Sequence, residues 1–295
     1  MAKLGIGIFV GVAIALGING VHAASQADAL QAAIAGWSHP QTPFRIVGNI
    51  YYVGTSELAS YLIVSPQGDV LIDGTLEQTA PQIEQNIRTL GFKLTDVKLI
   101  LNSHAHFDHA AGIAQIKKDT GAQFDASAAD TPILERGYIT YGPSAPVHFP
   151  SVKVDHVIRD GETVGFGDAR LTAHLTPGHT PGCTTWTMNV IDNGTPHTAL
   201  FICSVTVAGN PLVNNSVYPL IVSDYRASFA KLKTLHADIF LGPHVEFFDM
   251  HKKLAARKPG GPNPFIDPNE FQTFVAKAES DFDTELARQE AAAAK

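Results

Sequence analysis

Residues 104–109 read His104-Ala105-His106-Phe107-Asp108-His109, three imidazoles and one carboxylate in six positions. A short apolar run, Val97-Lys98-Leu99-Ile100-Leu101-Asn102, precedes them and reads as a strand. Ala110-Ala111-Gly112-Ile113-Ala114-Gln115-Ile116 follows, with apolar side chains at helical spacing. The hexapeptide therefore sits where a strand gives way to a helix, which commits the chain to strands and helices packed in layers. Neutral histidine is the commonest metal ligand, and zinc accepts imidazole nitrogen and carboxylate oxygen. We read the segment as a metal-ligand cluster rather than as a histidine-rich surface loop.

At 295 residues, 45% hydrophobic and with a net charge of -7, the chain has ample material for one core and no basic footprint for nucleic acid. Lys3, the apolar run from Leu4 to Leu16 and the small-residue site Val21-His22-Ala23 read as a secretory signal peptide over residues 1–23. The run is short and interrupted by glycines, so a membrane anchor is the weaker reading. No later segment could span a bilayer. Residues 24–295 would then form a single domain in an exported, disulfide-permissive compartment, the periplasm of a bacterium. Cys183 and Cys203 each fall in a β-like run, 20 residues apart. If those runs are neighbours a bridge is reasonable, and it would stabilise by about 3 kcal/mol in the chain-entropy model. Two separately buried thiols fit the spacing equally well.

Along the mature chain, Ala24 to Trp37 reads as a short, loosely attached helix. Strands are predicted at 44–47, 50–53, 59–64 and 70–72, and a helix at 79–90 stopped by Gly91. After the ligand turn come a strand at 123–126 and a helix at 128–136. Residues 138–150 carry three prolines and a glycine among Tyr138, Tyr141 and Phe149, and cannot form a regular element. A loop of that length is often functional, and a substrate-covering flap is expected. The second half is predicted as strands at 154–159, 163–166, 171–175, 184–190 and 198–206, a helix at 223–236, a strand at 239–241 and a final helix over 268–295. Asp192-Asn193-Gly194 is a hairpin signal.

Two further histidines lie in glycine- and proline-fixed turns after strands, Thr176-Pro177-Gly178-His179-Thr180-Pro181-Gly182 and Leu241-Gly242-Pro243-His244. With Val70-Leu71-Ile72-Asp73-Gly74 and the hexapeptide, in this order over nearly the whole mature chain, they make the sequence resemble the metallo-β-lactamase superfamily. The resemblance implies a four-layer αβ/βα sandwich, two mixed β-sheets flanked by helices, with metals at one edge of the sheets. It assigns His104, His106 and His179 to a first zinc and Asp108, His109 and His244 to a second. Three protein ligands per ion suit a catalytic rather than a structural zinc. Asp73 is implied as a buried carboxylate supporting the ligand loop.

Glyoxalase II-type hydrolases of the superfamily carry a metal-bridging aspartate in the strand after the third histidine. Here that stretch reads Leu200-Phe201-Ile202-Cys203-Ser204-Val205-Thr206, without a carboxylate. Two zinc β-lactamase subclasses place a cysteine ligand where Ser204 stands, so the pattern resembles the third subclass, B3. A one-residue shift would instead make Cys203 the ligand. Adjacent strand residues face opposite ways, so Cys203 and Ser204 cannot both face the metals.

The implied activity is zinc-dependent hydrolysis of the β-lactam amide bond of penicillins, cephalosporins and carbapenems. Zinc brings the pKa of water down to about 7, so hydroxide oriented by Asp108 would attack the carbonyl without a covalent intermediate. Ser204 and Thr206 are implied to bind the antibiotic's carboxylate. The expected partner is this small molecule alone, with no nucleic acid, no membrane after signal cleavage, and a monomeric protein. Rival readings are a lactone, thioester or phosphoester hydrolase on the same fold, and a non-catalytic exported zinc-binding protein. His39, His148, His156, His174, His197, His236 and His251 lack a ligand context, and Glu246 reads as an exposed acid.

Overall fold

A computed structural model describes residues 21–295; residues 1–20 of the expected leader lie outside the described residues. Helix α1 (Val21–Trp37) leads into an antiparallel meander, β1 (Phe44–Val47), β2 (Ile50–Tyr52), β3 (Tyr61–Ile63) and β4 (Asp69–Ile72). Helix α2 (Ala80–Thr89) crosses over to β5 (Val97–Leu101), which pairs parallel to β4. Helices α3 (Phe107–Ala110) and α4 (Ile113–Thr120), β6 (Gln123–Ser127), α5 (Thr131–Arg136) and β7 (His156–Ile158) complete a seven-stranded sheet in sequential order. β4 is buried along its length and β5 at all but Lys98, as expected for parallel strands covered on both faces.

The second sheet is built from β8 (Thr163–Phe166), β9 (Ala169–Leu175), β10 (Thr184–Asp192), β11 (Thr195–Phe201) and β12 (Ile239–Leu241), in the order β12-β11-β10-β9-β8. β8 to β11 run antiparallel, and β12 joins β11 in parallel after helix α6 (Ile221–Leu232). Helix α7 (Met250–Ala256) and the long α8 (Glu270–Ala293) end the chain. The sheets face each other through contacts such as Tyr61 on Phe201, with ring centroids 5.0 Å apart. α2 and α4 pack outside the first sheet, α6 and α8 outside the second. The fold is therefore α/β, with two mixed sheets flanked by helices. No helix among the described residues is long and apolar enough to cross a membrane.

Several predicted boundaries shift, among them the helix expected at 128–136, which spans Thr131–Arg136. The strand expected over 198–206 ends at Phe201, so 202–206 is irregular backbone and the alternating-face argument for Cys203 and Ser204 does not apply there. The helix expected at 223–236 spans Ile221–Leu232. Helix α1 is longer than predicted, and Leu30, Ile34 and Trp37 pack partly buried against the core. Residues 138–150 are irregular as expected. Ile139, Tyr141 and Phe149 are buried, and Tyr141 packs on Tyr218 at 5.7 Å, so the segment is anchored from below.

Candidate metal centre

Strand ends converge on one edge of the two sheets. β4 is followed by Asp73, β5 by His104, β6 by Asp130, β9 by His179, β11 by Ser204 and β12 by His244. Ligands of layered α/β folds collect outside the carboxyl ends of strands, where loops can carry chemistry on a rigid frame.

The turn that carries Asp73 is built tightly. Asp73 and Thr75 adopt φ of 63° and 53°, in the left-handed region that non-glycine residues rarely occupy. Gly74 donates its N–H to His109 O at 2.8 Å, and Gly112 donates to Thr75 O at 3.1 Å. A Cβ on Gly112 would lie 2.2 Å from Gly74 O, so glycine is required for this approach. The Asp73-Gly74 turn is thereby seated directly on the helix start that bears Asp108 and His109.

The structure brings the six predicted ligands into two groups. His104, His106 and His179 form one; Asp108, His109 and His244 form the other, each with its candidate donor atoms within 4.8 Å of one another. The groups abut, with the rings of His104 and His109 4.4 Å apart. In the second group, His109 Nε2 lies 3.2 Å from His244 Nε2 and 3.3 Å from Asp108 Oδ2. His244 Nε2 is 3.5 Å from the same oxygen. Donors at about 2.0–2.1 Å around a tetrahedral zinc stand about 3.3 Å from one another. The second group matches that spacing on all three edges.

Hydrogen bonds fix which nitrogen each ring presents. The carboxylate of Asp73 accepts from Ser103 N at 2.7 Å, Asn102 Nδ2 at 2.9 Å and Ser103 Oγ at 2.6 Å. Because the Ser103 hydroxyl proton goes to Asp73, its oxygen is left to accept from His104 Nδ1, 3.0 Å away. His104 then turns the lone pair of Nε2 into the group, and that buried atom has no hydrogen-bond partner among the described residues. Likewise His179 Nδ1 donates to Thr206 O at 2.7 Å, so its Nε2 carries the lone pair, 2.9 Å from His106 Nδ1. Buried imidazoles whose lone pairs converge fit a metal ion and little else.

Electrostatics agree. Burial, then crowding by His109, His179 and His106, hold His104 well below the usual histidine range. Burial also lowers His106, to about 4, and lowers His179 strongly. All three are neutral at pH 7, the ligating form. Burial opposes ionisation of Asp108, but His109 and His244 outweigh it and keep the carboxyl well below its ordinary value.

Cys183 and Cys203 are joined as a disulfide with Cα atoms 5.7 Å apart. Cys183 stands just before β10 and Cys203 two residues beyond β11, so the β10–β11 hairpin brings them together. The bridge leaves no free cysteine among the described residues. Ser204 is buried, its Oγ 3.0 Å from Oγ1 of Thr206, the residue whose carbonyl accepts from His179. Glu246 is exposed, and no other histidine joins either group among the described residues. His156 pairs with Glu162, His236 with Asp238, and His174 lies 2.8 Å from Thr187 Oγ1.

Three neighbours escaped the sequence reading. Trp37, at the end of α1, lies edge-on to His244 at 5.9 Å and beside Phe107 at 6.3 Å. Asn210 donates its side-chain amide to His179 O at 3.2 Å. Asp130 is wholly buried between two ligand turns, and burial pushes its carboxyl up to about 6. None of these falls in a recognisable motif.

The sequence profile of the metallo-beta-lactamase superfamily matches residues 57–191. Among solved structures, BJP-1, a subclass B3 metallo-beta-lactamase of Bradyrhizobium japonicum, is similar at 49% identity and a TM-score of 0.84, covering 88% of this chain and 99% of that one. Among curated proteins, human mitochondrial persulfide dioxygenase ETHE1 is 32% identical over 120 residues, 41% of this chain and 38% of that protein. A hydroxyacylglutathione hydrolase of Methylobacterium nodulans is 34% identical over 93 residues, 32% of this chain and 29% of that protein. The chain thus spans well under half the length of these two curated relatives.

Proposed function

Because the chain belongs to the metallo-β-lactamase superfamily, we propose that it is a subclass B3 β-lactamase, which opens the amide bond of β-lactam antibiotics with two zinc ions. The observation that carries this reading is the pairing of the two donor groups, with a serine rather than a cysteine or a carboxylate at position 204. Cys203 is engaged with Cys183 and is not free to ligate. Among the described residues, no carboxylate other than Asp108 belongs to either group. The near-complete overlap with BJP-1 supports the same reading. The expected leader over 1–23 fits an exported, single-domain enzyme of residues 24–295 acting in the periplasm, as a monomer.

His104, His106 and His179 would hold the first ion, and Asp108, His109 and His244 the second. When bound, zinc at such sites supplies Lewis-acid polarisation and a nucleophile at neutral pH. Hydrolysis adds water across the lactam C–N bond, oxygen to the carbonyl carbon and a proton to the nitrogen. Asp108, ionised at neutral pH, would accept a hydrogen bond from the attacking water and orient it. Asp73, through Ser103, would hold His104 in its ligating tautomer. The hydroxyls of Ser204 and Thr206 would donate to the substrate carboxylate. Trp37, partly buried and edge-on to His244, would border the bound antibiotic.

Thr206 separates its two duties: its carbonyl holds His179, while its hydroxyl is the proposed substrate contact. Thr206→Ala should therefore raise KM several-fold and leave kcat nearly unchanged, as expected for loss of uniform binding. Steady-state kinetics on one carbapenem checks this, and an unchanged KM removes the assignment.

The local likeness to hydroxyacylglutathione hydrolase favours one second reading, hydrolysis of a glutathione thioester. Purified protein assayed on a penicillin, a cephalosporin, a carbapenem and lactoylglutathione separates the two. Turnover of the lactams with little of the thioester is expected. Thioester cleavage without lactam cleavage overturns the proposal.

A further inference from the structure

We infer that Asp130 is a positioning residue, a carboxylate clasp that fastens the two ligand-bearing turns of the His104–His106–His179 group together. The inference rests on the reading of those three histidines as a metal site. Its Oδ2 accepts from Ala105 N at 2.9 Å and from Thr180 Oγ1 at 2.8 Å, and its Oδ1 accepts from Gly182 N at 2.8 Å. Ala105 lies between His104 and His106, and Thr180 follows His179. One side chain therefore holds both turns.

The local structure shows that this arrangement is specific. Asp130 occupies the N-cap position of α5, where aspartate commonly accepts from the helix's own first N–H groups. Here its side chain makes no capping bond and reaches instead into the ligand turns. The approach also dictates sequence across the gap: a Cβ on Gly182 would stand 2.6 Å from Asp130 Cγ and 2.1 Å from Ser127 Oγ. Three donors meet an acceptor-only group, which an ionised carboxylate satisfies and a carboxamide cannot. In either orientation, the amide of an asparagine would point a donor at a donor.

The two groups depend on the clasp unequally. Asp108 and His109 are held through the Asp73 turn, by Gly74 N on His109 O. The turn preceding His244 is fixed by Ala59 N on Pro243 O. Neither passes through Asp130. The first group's two turns also meet through the rings of His179 with His104 and His106, and through Thr184 N on Ser103 O at 2.8 Å.

The test compares wild type, Asp130→Asn and Thr180→Val, each freed of metal and titrated with zinc alone against a chromophoric chelator. Anomalous diffraction at limiting zinc assigns occupancy to each group, and thermal unfolding of the metal-free proteins is read in parallel. Asp130→Asn should weaken the first group about ten- to a hundred-fold, the usual cost of losing a group that orients ligands, with the second group changed less than threefold. Thr180→Val, which removes one of three donors, should weaken the first group in the same direction by a smaller factor, and it decides the matter if Asp130→Asn does not fold. Unchanged first-group affinity in the folded variants overturns the clasp. Equal weakening of both groups in step with a lower Tm reduces Asp130 to a general structural residue and also overturns it. Two zinc ions in wild type and in Asp130→Asn at equal affinity sink the clasp alone, whereas wild type holding no zinc sinks the metal reading and the clasp with it.

Discussion

Replacing Asp108 by alanine is expected to lower kcat for β-lactam hydrolysis by about two to four orders of magnitude, the scale of a lost side chain positioned on the reacting water, and to leave one tightly held metal instead of two. Two consequences converge in this side chain. Its Oδ2 completes the triangle with His109 and His244, so removing it leaves two nitrogens where three donors stood. It is also the one carboxylate among the two donor groups, kept ionised by its histidine neighbours. The fold should survive, because among the described residues the carboxylate's hydrogen-bonding and ion-pair partners are His109 and His244, both in the same donor group. Kinetics, metal content and circular dichroism on one preparation check the result. Near-normal turnover by a folded Asp108→Ala protein would contradict the proposed chemistry.

Asp73→Ala should destabilise the protein by about 2–4 kcal/mol, since each buried donor left without a partner costs about 1–3 kcal/mol. The carboxylate is 2% exposed and accepts three hydrogen bonds from Asn102 and Ser103. Burial pushes its pKa up, while His109 and those donors pull against it, so its ionised form depends on the network being intact. Alanine would leave buried donors unpaired and free the Ser103 hydroxyl, so His104 would lose the partner that sets its tautomer. Urea unfolding gives the stability, and zinc titration of the folded fraction should show weakened binding at the first group. A loss below about 1 kcal/mol would mean that the turn stands without its carboxylate.

The candidate donors were legible because most of them are local. Three imidazoles and a carboxylate within one strand-to-helix turn, and two histidines in Gly-Pro-fixed turns, declare themselves by residue type and spacing. The layered fold follows from alternating apolar strands and amphipathic helices, and β4 and β5 read as buried strands for the same reason. Contacts between distant segments were not legible. Asp130 resembles any aspartate ahead of a short helix, and only the fold reveals that its carboxylate turns away to Ala105, Thr180 and Gly182. Trp37 ends a helix that reads as loosely attached, yet its ring reaches His244. The strand drawn through Ser204 failed because apolar, β-branched residues continue past Phe201, while the backbone leaves the sheet there to join the site. The disulfide was undecided until the β10–β11 hairpin set its Cα distance.

The central claim is that this chain is a two-zinc enzyme acting on β-lactams, and imipenem hydrolysis by the purified protein tests it most directly. Turnover and zinc content are to be measured on one sample before chelation, after chelation and after zinc is returned. Activity that chelation abolishes and zinc restores is expected, with about two zinc ions per chain at full activity. Turnover that survives complete removal of metal, or a protein holding two zinc ions that leaves imipenem intact, would contradict it.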